Sequence, residues 1–384
     1  MQAAETFRHQ GYTGRIIVVG DEAHTPYDRP PLSKQVLAGE WEPDRIVLPA
    51  AVDEMLSVEW RLGRRASALD LGRRTLTLDD GEELDYDGLV IATGARARTL
   101  PGTESMAGVF ALRTLDDCLA LRAALTGGPQ HVVVVGAGFI GAEVAATCRK
   151  HALAVTIVEP LPVPLGRVLG NEIGQVFADM HRDEGVDVRL GVGVDRIEGN
   201  GRVERVVMAD GTSLDADVVV VGIGVIPNTE WLEGSGLELG NGVQCDEACF
   251  AAAGVVAAGD IAAWPNPTFD GEVMRVEHWD HAFGQAAHAA RALLAGRDEA
   301  EPFAAVPWFW SDQYDRKLQL AGRPRPDDEV RVVEGSLDER RFVALYGRAG
   351  RLVGVLGMNR PRHVMQLRSA IAERISFDDA LAQF

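Results

Sequence analysis

Gly136, Gly138 and Gly141, in the order Gly-Ala-Gly-Phe-Ile-Gly, are the residues of this chain whose spacing points most directly to chemistry. The pattern by itself is common; its surroundings are informative. Val132 to Val135 precede it as an apolar strand, and the helix-forming run 142–151 follows it. Glu159 closes the next apolar strand, 18 residues after Gly141 (159 − 141). In that βαβ setting the first glycine permits a tight turn, the second lets a pyrophosphate approach the backbone, and the third lets the helix pack on the strand. The helix N-terminus then offers N–H groups and a partial positive charge to the phosphates. A carboxylate at position 159 accepts hydrogen bonds from ribose hydroxyls and repels a 2′-phosphate, so the expected dinucleotide is NAD and not NADP. The competing reading, a glycine-rich turn that binds nothing, leaves the strand, the helix and the carboxylate unexplained.

Other polar residues carry less information singly. Pro26, Pro30 and Pro31 stiffen the segment Thr25–Lys34 and exclude a regular helix, and the segment carries Arg29 and Lys34. Alone, Arg29 reads as a solvated loop arginine and Lys34 as a surface lysine. Glu143 reads as a helix N-terminal carboxylate favoured by the helix dipole. The four cysteines, Cys118, Cys148, Cys245 and Cys249, form no Cys-x-x-Cys pair, and the last two lack a matching His or Cys cluster. No metal site and no thioredoxin-type disulfide is expected. A reducing, cytoplasmic compartment fits this usage.

The elements that must position these residues read as follows. A short helix covers 2–9 and a buried strand 15–19, closed by Gly20, Asp21 and Glu22. Segments 46–48, 58–60 and 74–78 read as strands of a small meander with a turn at Asp79-Asp80-Gly81. Leu89 to Ile91 form another buried strand, opening onto Ala92-Thr93-Gly94-Ala95. An amphipathic helix covers 113–126, and the NAD-type βαβ unit begins at His131. Residues 171–184 are helical, and 202–208 with 213–221 read as paired strands around Asp210-Gly211. A strand within 254–260 runs into a glycine–acid turn, and an Ala-rich helix covers 280–295. Shorter strands at 330–334, 341–346 and 352–356 and a helix near 363–373 suggest an α+β third domain.

Composition bounds the function. The chain has 384 residues, enough for two or three domains, with 46% hydrophobic and 25% charged residues. Lys and Arg number 38 against 57 Asp and Glu, a formal net charge of −19. That balance argues against wrapping nucleic acid and against a polybasic membrane anchor. No apolar run of about 18 residues predicts a membrane span. The opening MQAAETFRHQ lacks both a basic leader and an apolar signal core.

Five further segments join the glycine turn: PYDRPPLSK (26–34), ATGARARTLPG (92–102), VGIGVIPNTEWL (221–232), VVAAGDIAAW (255–264) and PWFWSDQYDRKLQLAG (307–322). In this order, through nearly the whole chain, they resemble the FAD-containing ferredoxin reductases of bacterial oxygenase systems. These are the putidaredoxin and rubredoxin reductase type of the pyridine nucleotide-disulfide oxidoreductase fold. The resemblance implies an α/β protein with two Rossmann-like nucleotide-binding domains and a C-terminal α+β reductase domain. A discontinuous FAD domain would cover 1–106 and 230–300, the NAD domain 107–229, and the C-terminal domain 301–384. It implies FAD contacts by Arg29, Lys34, Ala95, Arg96 and Asp260, with Asp21 and Glu22 added at the end of the first strand. Trp308 would lie against the flavin's pyrimidine end, with Trp279 near the flavin and Trp310 a weaker candidate. Glu143 would pair with Lys34 between nicotinamide and flavin.

NADH gives electrons in pairs, an iron–sulfur protein accepts them singly, and a flavin exchanges them either way. With no cysteine pair, electrons would leave directly to a ferredoxin or rubredoxin. An acidic partner would need a basic patch: Arg316, Lys317, Arg323 and Arg325, or Arg360, Arg362 and Arg368. A solvated charged face explains either cluster equally well. A non-catalytic NAD-binding redox sensor, a truncated pseudo-reductase, and a quinone or small-molecule reductase stay open as alternatives.

The resemblance lacks one part. The family's first strand and first Gly-x-Gly-x-x-Gly turn, which bind the FAD pyrophosphate, have no counterpart before AETFRHQGYTGRIIVVGDE. A central strand of about five buried aliphatic residues is worth on the order of 10 kcal/mol, comparable to a whole domain's stability. The expectation is therefore that this chain holds FAD poorly while its NAD unit folds. Comparing visible flavin absorbance of this chain with a form lengthened by that strand and turn tests it. A stoichiometric yellow chromophore in the shorter form overturns the expectation.

Overall fold

Parallel strand pairs organise each half of the chain. The computed structural model describes all residues, Met1–Phe384. It divides into two units. The first comprises residues 1–28, 47–96 and 226–307, and the second 29–46, 97–225 and 308–384.

In the first unit, Ile16–Gly20 runs parallel to Val58–Leu62, with Ile16 opposite Val58 and Gly20 opposite Leu62. A separate three-stranded sheet sets Leu89–Ile91 parallel to Val255–Ala257, which pairs on its other edge with Phe250–Ala252. Ile16–Gly20 and Leu89–Ile91 each have a strand neighbour on one edge only. Helix Trp279–Ala295 buries Ala289 and Ala292 against Val256, Ala258 and Phe250. Its small side chains let helix and sheet approach closely. The antiparallel meander is made by Ala66–Asp70, Thr75–Leu78 and Glu83–Asp85.

Two expectations need correction here. Residues 58–60 belong to the parallel pair, not to the meander; their alternation marks a strand but does not name its partner. Residues 46–48 are not a strand. Pro43–Ile46 is a short 3-10 turn, started by a proline that cannot donate to a ladder, and Val47 makes a single bridge to Tyr27.

In the second unit, five parallel strands stand in the order Asp187–Leu190, Ala154–Glu159, His131–Val135, Val218–Val221 and Val109–Ala111. Val132, Val133 and Val134 are fully buried, as the interior strand of a sheet covered on both faces requires. The expected hairpin of 202–208 with 213–221 splits. Ser213–Asp215 pairs with Arg205–Met208, whereas the all-apolar Val218–Val221 enters the parallel sheet beside His131–Val135. The fingerprint helix starts at Phe139, earlier than expected, because Gly138 in extended conformation (φ −74°, ψ 177°) already serves as its N-cap.

The C-terminal sheet is antiparallel, in the order Trp308–Gln313, Arg316–Gly322, Arg351–Met358, Arg341–Arg348 and Glu329–Ser336. Its first two strands were not anticipated by strand patterning, which began the sheet near 330. Helix Asn171–Asp183 drives Ile173, Phe177 and Met180 into Leu318, Leu320, Phe342, Tyr346 and Leu356 of this sheet. His181, on the same helix, is 1% exposed, and its Nδ1 lies 2.7 Å from the Tyr314 hydroxyl.

Burial lowers the His181 pKa from its ordinary 6.5 to about 4. The unfolded chain therefore binds a proton that the folded chain refuses. The associated stability is complete above the unfolded value and is lost as pH falls from 6.5 towards 4. The shift corresponds to a loss on the order of 3 kcal/mol. Urea midpoints at about pH 7.5 and about pH 4.5 should differ by less in His181→Gln than in the parent chain; equal differences would exclude His181 as a source of acid lability.

Candidate dinucleotide and electron-transfer site

The glycine turn leaves the carboxyl end of strand His131–Val135 and enters helix Phe139–Lys150. Gly136 has φ +100°, and a Cβ there would stand 2.4 Å from the Gly222 carbonyl oxygen. A Cβ at Gly141 would stand 2.2 Å from the Gly136 carbonyl oxygen. The fold itself demands both glycines. Gly138 differs: a Cβ there would meet nothing nearer than Gly222 O at 3.9 Å. The protein has no steric need for glycine at 138, and the backbone there is open to approach from outside. No side chain caps the helix N-terminus at this point.

Glu159 sits at the end of the adjacent strand, 9% exposed. Its Oε2 accepts from Ala137 N at 2.8 Å and its Oε1 from Leu161 N at 3.0 Å. The carboxylate is thus fastened to the glycine turn, and each oxygen keeps a further acceptor site. An open glycine, an uncapped helix N-terminus and an anchored carboxylate fit a dinucleotide whose ribose is free of a 2′-phosphate.

The second turn of the same helix presents Glu143, 3% exposed. Lys34 Nζ donates to its Oε2 at 2.8 Å, with only 12% of the lysine side chain exposed. Ser33 Oγ donates to the same oxygen at 2.5 Å, and Ser311 Oγ donates to Oε1 at 2.7 Å. One helical turn on, Thr147 Oγ1 donates to the Ser33 carbonyl at 2.9 Å. The helix therefore grips the 33–34 segment twice, at positions i and i+4 of one face. Sequence reasoning found Lys34 and Glu143 but missed Ser33 and Ser311. Ser33 had one usable signal, its place beside Lys34 in a proline-stiffened segment. Ser311 had none, since it meets Glu143 across 168 positions.

The remaining candidates occupy their own surroundings. In the second unit, Arg29 Nη1 donates to the Arg113 carbonyl at 2.8 Å. Trp308 lies 5.3 Å from Trp310, ring centre to ring centre, with the Arg368 guanidinium 5.8 Å from its ring. The Trp308 indole N–H is buried and has no acceptor within the protein, as expected of a donor kept for a ligand.

In the first unit, Ala95 is buried, and Arg96 is ion-paired to Glu230 and bonded to Asn228 Oδ1 at 3.1 Å. Asp21 pairs with Arg65 at 3.2 Å in an exposed position, and Glu22 accepts from the Tyr27 hydroxyl. Asp260 is 8% exposed; its carbonyl accepts from Arg275 Nη1 at 2.9 Å. The preceding Gly259, at φ +77°, donates its N–H to Gln285 Oε1 at 2.8 Å. Gln285, fully buried, is another residue that sequence reasoning passed over. Trp279 is 43% exposed and stacks on Phe283 with ring centres 5.6 Å apart.

The two basic clusters are partly neutralised. Arg316 pairs with Asp315, Lys317 with Asp312 at 3.1 Å, and Arg360 with Glu334 at 2.8 Å. The four cysteines are free thiols. Burial pushes Cys118, Cys148 and Cys245 up to about 12, and Cys249 upward as well, so none stands ready as a thiolate.

Residues 1–286 match the pyridine nucleotide-disulphide oxidoreductase family, and residues 308–383 match the reductase C-terminal family. The chain is 40% identical, over 99% of its length, to the 5,5'-dehydrodivanillate O-demethylase ferredoxin reductase subunit of Sphingobium sp. (strain NBRC 103272 / SYK-6), spanning 93% of that protein. It is 36% identical, again over 99%, to putidaredoxin reductase of Pseudomonas putida, spanning 91% of it. Among solved structures it resembles the reductase of the covalent putidaredoxin reductase–putidaredoxin complex, with a TM-score of 0.91 and 34% identity. That match covers 98% of this chain and 91% of that one. A ferredoxin reductase of Rhodopseudomonas palustris gives a TM-score of 0.91 at 39% identity, covering 99% and 94%. The fingerprint, the C-terminal sheet and these relatives together make the chain a member of the pyridine nucleotide-disulphide oxidoreductase family, of the ferredoxin reductase type found in oxygenase systems.

Proposed function

We propose that this protein takes electrons from NADH and delivers them through FAD to a ferredoxin-type iron–sulfur protein, or a rubredoxin, that feeds an oxygenase. The observation that carries the reading is the buried Lys34–Glu143 pair on the helix whose first turn is the dinucleotide turn. Bound NADH supplies an electron pair, and bound FAD lets that pair leave one electron at a time. The balanced reaction turns NADH and two oxidised acceptors into NAD⁺, a proton and two reduced acceptors.

The chain's own residues bind and orient. Gly136, Gly138 and Gly141 shape the turn for the pyrophosphate, and Glu159 takes the ribose hydroxyls on its remaining acceptor sites. Lys34 and Glu143 set the position and charge around the nicotinamide. Asp21, Glu22, Arg29, Lys34, Ala95, Arg96, Asp260, Trp279 and Trp308 are assigned to the flavin nucleotide. In this reading 1–106 and 230–300 form the FAD domain, 107–229 the NAD domain and 301–384 the C-terminal domain. A cytoplasmic location is part of this reading, and no helix is long and apolar enough to cross a membrane. Arg360, Arg362 and Arg368 are offered as a surface for an acidic acceptor protein.

The direct test is anaerobic reduction of a ferredoxin by NADH in the presence of added FAD. Turnover with quinones alone and none with the iron–sulfur protein would favour the small-molecule reductase instead.

Two substitutions sharpen the cofactor assignment. Gly138→Ala should leave the urea midpoint nearly unchanged, within about 0.5 kcal/mol, while weakening NADH binding at least tenfold. Gly136→Ala should lower stability by about 2 kcal/mol or more, through its positive φ and its clash. Equal NADH affinity in Gly138→Ala and the parent chain would remove the turn from the binding site.

The thiols give a separate check. In the native protein all four should react with an aromatic disulfide reagent far more slowly than in urea, and alkylation should leave ferredoxin reduction intact. Loss of activity upon labelling one thiol in the native state would point to a cysteine-dependent route.

A further inference from the structure

Glu143 receives more donors than its lysine partner requires. A carboxylate rotates broadly about its terminal torsion, and one ammonium bonded to one oxygen does not hold its plane. Here Oε2 takes Lys34 at 2.8 Å and Ser33 at 2.5 Å, while Oε1 takes Ser311 at 2.7 Å. Donors on both oxygens, from segments 110 and 168 positions away, fix the plane. Each serine is itself held. Gln313 Nε2 donates to Ser311 Oγ at 3.1 Å, which occupies an acceptor site there and directs the hydroxyl hydrogen to Glu143. Thr147 holds the Ser33 backbone from the helix that carries Glu143. Ser33, Ser311 and Gln313 are all 3% exposed or less, so water does not substitute for these bonds.

The consequence falls on Lys34. Its ammonium has three N–H bonds, and Glu143 is its one acceptor within the protein. With the carboxylate plane fixed, the direction of the lysine is fixed too, and two N–H bonds remain for a ligand.

We propose that Ser33 and Ser311 are positioning residues for NADH. They clamp Glu143 so that Lys34 holds its two uncommitted N–H bonds toward the place where nicotinamide and flavin meet. The proposal rests on the reading that the Lys34–Glu143 pair faces the nicotinamide. It predicts that the serine hydroxyls matter for the nicotinamide half of the ligand and not for the adenosine half.

The test is calorimetric titration of the protein, in the presence of excess added FAD, with NAD⁺ and with ADP-ribose, which lacks the nicotinamide. Ser311→Thr keeps the hydroxyl, and Ser311→Val matches threonine in shape without it. NAD⁺ binding should weaken about tenfold in Ser311→Val and in Ser33→Ala, the loss of one hydrogen bond to a charged group, and less than about twofold in Ser311→Thr. ADP-ribose should bind all of them as it binds the parent.

Lys34→Met serves as the reference. If it leaves NAD⁺ affinity unchanged, the pair does not face the nicotinamide, and both the reading and this inference fall. If Lys34→Met weakens NAD⁺ binding while Ser311→Val and Ser33→Ala bind it as the parent does, the inference alone is overturned. A parallel loss of ADP-ribose affinity in the serine variants would also overturn it, since the hydroxyls would then support the fold and not the ligand.

Discussion

One buried carboxylate ties the second unit together. Glu143 draws a proline-stiffened segment, a Rossmann helix and the first strand of the C-terminal sheet to a single point. A buried ion pair is weak evidence for stability, because removing two charges from water costs about as much as their attraction returns. Removing one partner alone is another matter, at about 3–5 kcal/mol, because the other charge stays behind. An apolar pair of similar volume would serve the fold as well. The polar cluster is therefore best understood as holding charge in a chosen direction, next to the helix end that the glycine turn leaves open.

The same helix shows how a glycine can be diagnostic. Gly136 and Gly141 are required by carbonyl oxygens less than 2.5 Å from where a Cβ would stand. Gly138 faces no such neighbour, and its backbone lies open to approach from outside the chain. Glu159, tied to two backbone amides, braces the turn and keeps an acceptor site on each oxygen to spare.

How much of this was legible beforehand depended on the range of the interaction. The glycine turn, its strand and Glu159 lie within one βαβ unit, and local pattern was enough to place them. Strand Val218–Val221 reads as apolar in the sequence, but a run of valines states burial on both faces and not that its neighbour is His131–Val135. Trp308–Gln313 was read as a motif and not as a strand. Its pairing with Arg316–Gly322 turns on Tyr314 at φ +56°, a conformation that tyrosine rarely announces. Lys34 and Glu143 were reachable only through resemblance to relatives. Ser311, which completes their geometry, was out of reach because nothing local marks a serine that closes a contact from the far end of the chain.

The apolar cluster between helix Asn171–Asp183 and the C-terminal sheet has a consequence for how the molecule comes apart. Ile173, Phe177 and Met180 are the cover for Leu318, Phe342, Tyr346 and Leu356, and neither side buries those surfaces without the other. The five antiparallel strands are thus not a detachable appendage. Cleaved away, they would expose a sticky greasy face and clump, and on warming they should melt in the same step as the valine-rich sheet to which that helix belongs.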